Sequence, residues 1–180
     1  HTDGKSGLAC DWWGGRWKED FDRAAETGQN AHRFSVEWSR IQPTPDTWDE
    51  DALERYRAML RGLKERGMTP MVTLHHFTDP IWLGDGWETG AAISQFERFV
   101  RNTVEALKEY CTLWCTFNEP GGYALNGYVG GGLSGNFPPG KNNIKLAMNV
   151  QANLVKAHVA AYHAIHQIQP EARVGIATHY

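Results

Sequence analysis

Thr112-Leu113-Trp114-Cys115-Thr116-Phe117-Asn118-Glu119-Pro120 decides how this 180-residue chain is read. From Leu113 to Phe117 every residue is apolar, aromatic or β-branched, and none is charged. Such a run suits a parallel strand covered on both faces. Pro120 stops the strand, because it has no N–H to give to the ladder. Asn118 and Glu119 therefore stand where a strand meets a loop, badly placed for packing and well placed for a ligand. Alone, Asn-Glu-Pro reads equally as a cap or turn with both side chains solvated. The rest of the chain has to separate the two.

Working outward, helical and strand patterns alternate. Residues 17–27 are helical, with Trp17, Phe21, Ala24 and Ala25 on one face and Gly28 placed to end it. Residues 31–38 read as a strand. Pro43 and Pro45 break the chain after it, and Asp49 or Asp51 caps a second helix with Leu53, Tyr56, Leu60 and Leu63 at helical spacing. Residues 70–77 form the next apolar strand. A third helix carries Ile93, Phe96, Val100, Val104 and Leu107. Beyond the opening stretch, residues 121–140 read as a Gly-rich loop. A long helix runs from about 143 to 169, Pro170 ends it, and residues 173–178 close as a fourth strand.

Helix then strand, four times over, implies parallel strands joined by right-handed crossovers, in a doubly wound sheet or a barrel. No Gly-x-Gly-x-x-Gly follows a strand, so a dinucleotide fold loses support. Gly4-Lys5-Ser6 has the look of a phosphate-loop tail, but it lacks the preceding strand and the upstream glycines. In a barrel the catalytic groups come from the C-terminal ends of several strands. Those ends here are Glu37 and Trp38, His75 and His76, Asn118 and Glu119, and His179 and Tyr180. Polar and aromatic groups gather at all of them, which favours a site on that face.

The composition fits this reading. Formal net charge is −3, so no basic field recruits nucleic acid or an anionic membrane surface. No run is long and apolar enough to span a membrane. Aromatic content is 12%, with eight Trp, which serves a core or the stacking of sugars. Cys10, Cys111 and Cys115 cannot form a closed disulfide framework, so a reducing, cytoplasmic compartment is expected. His158, His163 and His166 share a helix without a carboxylate or Cys at matched spacing, so no metal is expected, and no cofactor. Of His75 and His76, one is expected to be buried, since adjacent strand residues face opposite ways. Glu37 is expected to pair with a basic residue such as Arg40. Tyr123, Tyr128 and Phe137 are available to line a substrate entrance.

Arg33-Phe34-Ser35-Val36-Glu37-Trp38-Ser39-Arg40-Ile41 resembles the second-strand signature of glycoside hydrolase family 1, the β-glucosidases and β-galactosidases. Thr73-Leu74-His75-His76-Phe77, with Pro80, Trp82 and Leu83, resembles its third-strand signature. Thr116-Phe117-Asn118-Glu119-Pro120 resembles its fourth-strand acid/base signature. Asn153-Leu154 with Ala157-His158 resembles the following helix, and Val174-Gly175-Ile176 the fifth strand. The resemblance implies a (β/α)8 TIM barrel, of which residues 1–180 supply strands two to five. It implies hydrolysis of β-linked glycosides with retention of configuration, on a small-molecule glycoside or oligosaccharide. Glu119 would be the general acid/base. Asn118 would hold the sugar 2-hydroxyl and help place the nucleophile, and Arg33 would keep that nucleophile ionised. His76 would hydrogen-bond a glycone hydroxyl. Phe77 falls where many members carry Trp, and would serve as an aromatic wall. His179 falls near a position often Asn in the family and receives no role.

The retaining mechanism needs two carboxyl groups about 5 Å apart. The family's nucleophile lies in an Ile/Val-Thr-Glu-Asn-Gly stretch, and no such stretch occurs in these residues. The chain therefore reads as a fragment, roughly the N-terminal half without its first strand, inactive by itself. Other readings are another barrel glycosidase such as a cellulase, a non-catalytic sugar-binding half-barrel, and, more distantly, a nucleotide-binding protein.

Overall fold

The computed structural model describes residues 11–129 and 137–178. Four strands, β1 (Ala31–Ser35), β2 (Thr69–His75), β3 (Leu113–Asn118) and β4 (Arg173–Ala177), form one parallel sheet in the order β1-β2-β3-β4. The helices are α1 (Trp17–Glu26), α2 (Trp38–Ile41), α3 (Glu50–Glu65), α4 (Gly86–Thr89), α5 (Ala92–Leu107), α6 (Pro120–Tyr128) and α7 (Ile144–Ile168). Gly28 and Gly67, both at positive φ, let the chain reverse after α1 and α3. Asp49 caps α3 by accepting the Ala52 N–H at 2.9 Å, and Asn143 caps α7 through the Leu146 N–H.

Strand order and helix contacts choose between barrel and doubly wound sheet. The sheet never reverses direction of growth. The crossover helices α3, α5 and α7 touch one another in sequence, α3 on α5 and α5 on α7, so they form one layer on one face. A doubly wound sheet would put helices on both. The opposite face is an open groove of about 430 Å³ lined by Arg33, Met71, Leu113, Cys115, Arg173 and Gly175. Among the described residues β1 and β4 each pair on one side only.

The aromatic residues settle mostly between sheet and helices. Trp38, Trp87, Trp114, Phe96, Phe99 and Phe117 are almost fully buried. Phe96 meets Phe117 at 4.6 Å between ring centres, and Trp38 stacks on Phe99 at 5.0 Å. The high Trp content is largely core.

Three sequence expectations need correction. The first strand ends at Ser35, not Trp38. Trp38 opens α2, and its indole turns into the core and donates to Gln42 Oε1 at 2.9 Å. The stretch after Pro120 is not all loop, because residues 120–128 are helical. Proline at the first helical position is pre-set for a helix. Three glycines do not prevent it, and Gly127 serves packing: a Cβ there would lie 2.9 Å from the Pro138 carbonyl oxygen. Finally, Tyr128 is buried and the Tyr123 hydroxyl is tied to Asp79, so the two rings line a cleft beside Phe77 from below rather than standing free at a rim. Cys10, His179, Tyr180, Gly4-Lys5-Ser6 and the middle of the 121–140 stretch lie outside the described residues.

One close approach gives a test of the helix layer. An ideal Cβ on Gly62 of α3 would lie 2.9 Å from Trp17 Cη2 of α1. On an exposed helix Gly→Ala stabilises by about 1 kcal/mol. Here Gly62→Ala is expected to destabilise by about 1–3 kcal/mol in urea unfolding, through overpacking. A stabilised variant would show that α1 does not pack on α3 in this way.

Candidate active site

The strand that carries Asn118 breaks its own alternation. Cys115 faces the open groove, its Sγ 4.0 Å from an Arg33 nitrogen. Trp114 and Thr116 point to the helix layer, where Thr116 Oγ1 meets His158 Nδ1 of α7 at 2.8 Å. Phe117 should then face the groove, but it packs on Phe96 of α5. The register with β4 shifts between Cys115 and Asn118. Two consecutive side chains enter the helix layer, and Asn118 is turned to the groove face instead. A bulge re-aiming a side chain in this way is common beside active sites.

Asn118, 5% exposed, accepts from both terminal nitrogens of Arg33 at 3.2 Å each. Arg33 reaches it from β1 across β2, where it also donates to Thr73 Oγ1 at 3.4 Å. Its hydrogen-bond partners among the described residues are neutral. Ser35 lies two residues along β1, on the same face, and its hydroxyl contacts His76 Nδ1 at 2.7 Å. Burial pushes the His76 imidazole below its ordinary value, the Arg33 and His75 charges push it the same way, and Glu119 pulls it back. The ring is therefore neutral near pH 7.

Glu119 follows the bulge in left-handed backbone (φ 45°, ψ 61°), rare for a residue with a side chain. Its N–H donates to the Ala177 carbonyl of β4 at 2.7 Å, and its carbonyl accepts the Tyr123 N–H at 2.9 Å. Its carboxyl passes over Gly122, where a Cβ would approach Oε2 to 3.2 Å. A cleft of about 620 Å³ opens beside it, lined by Pro120, Gly122, Leu125, Gln151 and Thr178. Phe77 at the end of β2 is also left-handed (φ 68°) and packs edge-on against His76. The structure thus brings Arg33, His76, Phe77, Asn118 and Glu119 to one end of the sheet, the C-terminal ends of β1 to β3.

His75 is the buried member of its pair. Its Nε2 lies 3.0 Å from Asp79 Oδ1, which also accepts Trp87 Nε1–H at 2.8 Å. Asp79 Oδ2 accepts the Tyr123 hydroxyl at 2.7 Å. Burial alone would push the Asp79 carboxyl up, but the His75 imidazole and these hydrogen bonds outweigh it and hold it low. Sequence reasoning missed Ser35 and Asp79. Ser35 was legible from its i,i+2 spacing to Arg33; for Asp79 only His75 four residues earlier gave a signal. Glu37 does not pair with Arg40. It accepts from the Ser39 and Thr78 hydroxyls, while Arg40 lies over the Trp13 ring at 4.2 Å. The α7 histidines do not converge, with His158 on Thr116 and His166 on the Tyr162 carbonyl. Among the described residues no group of three or more His, Cys, Asp or Glu could hold a metal. No described helix is long and apolar enough to cross a membrane.

A one-layered parallel sheet with polar groups collected at its strand C-termini is a partial α/β barrel. The model for Glycosyl hydrolase family 1 matches residues 1–180, and the chain belongs to that family. Beta-glucosidase A of Thermotoga maritima is 32% identical over 172 residues, 94% of this chain and 37% of that protein. The structure of a beta-glycosidase from Pyrococcus horikoshii is 37% identical, with TM-score 0.88, over 99% of this chain and 40% of that one. A beta-glucosidase from Thermotoga maritima in complex with deoxynojirimycin has TM-score 0.89 at 30% identity, over 98% and 40%. The chain thus spans about two fifths of the length of the relatives it matches.

The shared site has a titration signature. The His76 midpoint, followed by its ring proton resonance, is expected below the ordinary value of about 6.5. Arg33→Gln should raise it and Glu119→Gln should lower it further. Because the folded state disfavours the imidazolium, stability at this group falls as pH drops from about 6.5 through the lower folded value. A midpoint indifferent to both substitutions would mean the three side chains do not share a site.

Proposed function

We propose that the chain supplies one wall of a retaining β-glycosidase site, of β-glucosidase type, with β1 to β4 in the places of strands two to five. The observation that carries this reading is the Asn118–Glu119 pair, aimed by a bulge at the groove end where Arg33 and His76 converge. The family's name and the beta-glucosidase relatives support it.

Glu119 protonates the departing glycosidic oxygen and later takes a proton from the attacking water. Its half-buried carboxyl beside an open cleft suits both steps, since the second needs water to enter. Arg33 occupies Asn118 Oδ1, which turns the Nδ2 hydrogens toward a ligand. A donor there can hold the sugar 2-hydroxyl, an interaction that strengthens in the transition state by several kcal/mol, roughly. Ser35 engages Nδ1 of the neutral His76 ring and leaves Nε2 for another glycone hydroxyl. Phe77 offers its face as a wall. Arg33 is exposed, with neutral partners, and is suited to keep an incoming carboxylate ionised. That carboxylate is the nucleophile, which no residue of this chain provides. Cys111 and Cys115, both free and buried, fit a reducing, cytoplasmic setting.

Two results are expected. Residues 1–180 alone give no steady turnover of an aryl β-glucoside; measurable turnover by the pure chain would end the division of labour proposed here. In a complete barrel containing these residues, Glu119→Ala slows poor leaving groups by about 10²–10⁴-fold and activated ones far less. Azide restores part of the activity and yields a glycosyl azide. Equal loss for every leaving group would remove Glu119 from the acid/base role.

A further inference from the structure

We propose that Asp79 is a positioning residue for the Glu119 carboxyl, acting through Tyr123 and the first turn of α6. This rests on the reading of Glu119 as acid/base and adds a residue to it. Tyr123 is bonded at both ends. Its hydroxyl donates to Asp79 Oδ2 at 2.7 Å, and its backbone N–H donates to the Glu119 carbonyl at 2.9 Å. One residue therefore spans from a largely buried carboxylate to the backbone of the proposed acid/base. Asp79 is itself fixed. It accepts from His75 of β2 and Trp87 of α4, and His75 and Trp87 pack against Phe96 and Phe117 in the core.

Glu119 needs such an anchor for two reasons. Its left-handed backbone is held only where the surroundings over-determine it. The helix that continues from it is weak by composition, with Gly121, Gly122 and Gly127 among nine residues. No side chain caps its N-terminus. On one side the Ala177 carbonyl holds the Glu119 N–H. On the other, the first turn is held through Tyr123. The carboxyl lies over this same turn, against Gly122, so a shift of the turn moves the proton donor.

The test uses a complete barrel containing these residues, with Asp79→Asn, Tyr123→Phe and Glu119→Ala compared on methyl and 2,4-dinitrophenyl β-glucosides. A misplaced proton donor matters only where the leaving group needs the proton. Asp79→Asn and Tyr123→Phe are each expected to lower kcat/KM for the methyl glucoside by roughly ten- to a hundredfold, and for the dinitrophenyl glucoside by no more than about twofold. Azide should restore part of the loss in neither, because the carboxyl is still present, whereas Glu119→Ala is rescued. Equal loss on both substrates in the two variants, with Glu119→Ala still selective, would make Asp79 a structural residue and leave the acid/base reading standing. If Glu119→Ala itself shows no selectivity, both fail together. Should Asp79→Asn not fold, Tyr123→Phe, which removes only a hydroxyl, decides by the same ratio.

Discussion

Thr116 and Phe117 are consecutive residues of β3, and both side chains enter the helix layer. A strand that kept its period of two would send Phe117 to the groove and Asn118 into the core. The core at that point is Phe96, Trp87 and His75, which packs well against a ring and poorly suits an amide that must keep its hydrogen bonds. Burying Phe117 there satisfies packing, and the shift in register with β4 turns Asn118 toward Arg33. The irregularity in β3 thus serves both the aromatic cluster and the polar site, and β2 makes a matching change between Thr73 on the groove side and His75 in the helix layer. Loosening the Phe117 contacts would disturb the amide at the site without touching it.

The same economy appears at the strand ends. Glu119 turns left-handed directly after β3 and Phe77 two residues after β2, at a cost of about 1–3 kcal/mol each. Each reversal takes the chain off the sheet sharply, keeping His76 and Asn118 at the rim. The polar network beneath supports both turns. Asp79 stands two residues after Phe77 and receives Tyr123 from four residues after Glu119. The loop after β2 and the first turn of α6 are cross-linked by a carboxylate held ionised.

The architecture is legible in the sequence because the period changes between 2 and 3.6, and because charged residues avoid the strand interiors except at Arg33 and, in the stretch read as the first strand, Glu37. Strand bounds fall within one to three residues of those expected. Each feature that escapes has a physical cause. Trp38 looks like strand from its type, but a large pocket between Phe96 and Phe99 rewards turning it. Residues 120–128 look like loop because glycine dominates them, yet Pro120 and contacts with α7 override intrinsic preference. That His76, Asn118 and Glu119 gather at one end of the sheet is legible from strand order and residue type, whereas Arg33 is pointed to only by the resemblance of its stretch to the family signature. The bulge is not legible, since apolar residues fill both faces of β3 and hide the slip. Asp79 escapes because a carboxylate just past a strand end looks solvated until Trp87 and Tyr123 are folded over it.

The open groove and the polar site share one face of the sheet. A parallel sheet is ordinarily covered on both sides. Here the helix layer covers one, and the other presents Met71, Leu113 and Cys115 together with two guanidinium groups, Arg33 and Arg173. Arginine on an otherwise apolar groove is poorly matched to a purely apolar cover, because a buried cation needs a charged or strongly hydrogen-bonding partner. The neutral acceptors Asn118 and Thr73 orient Arg33 without neutralising it.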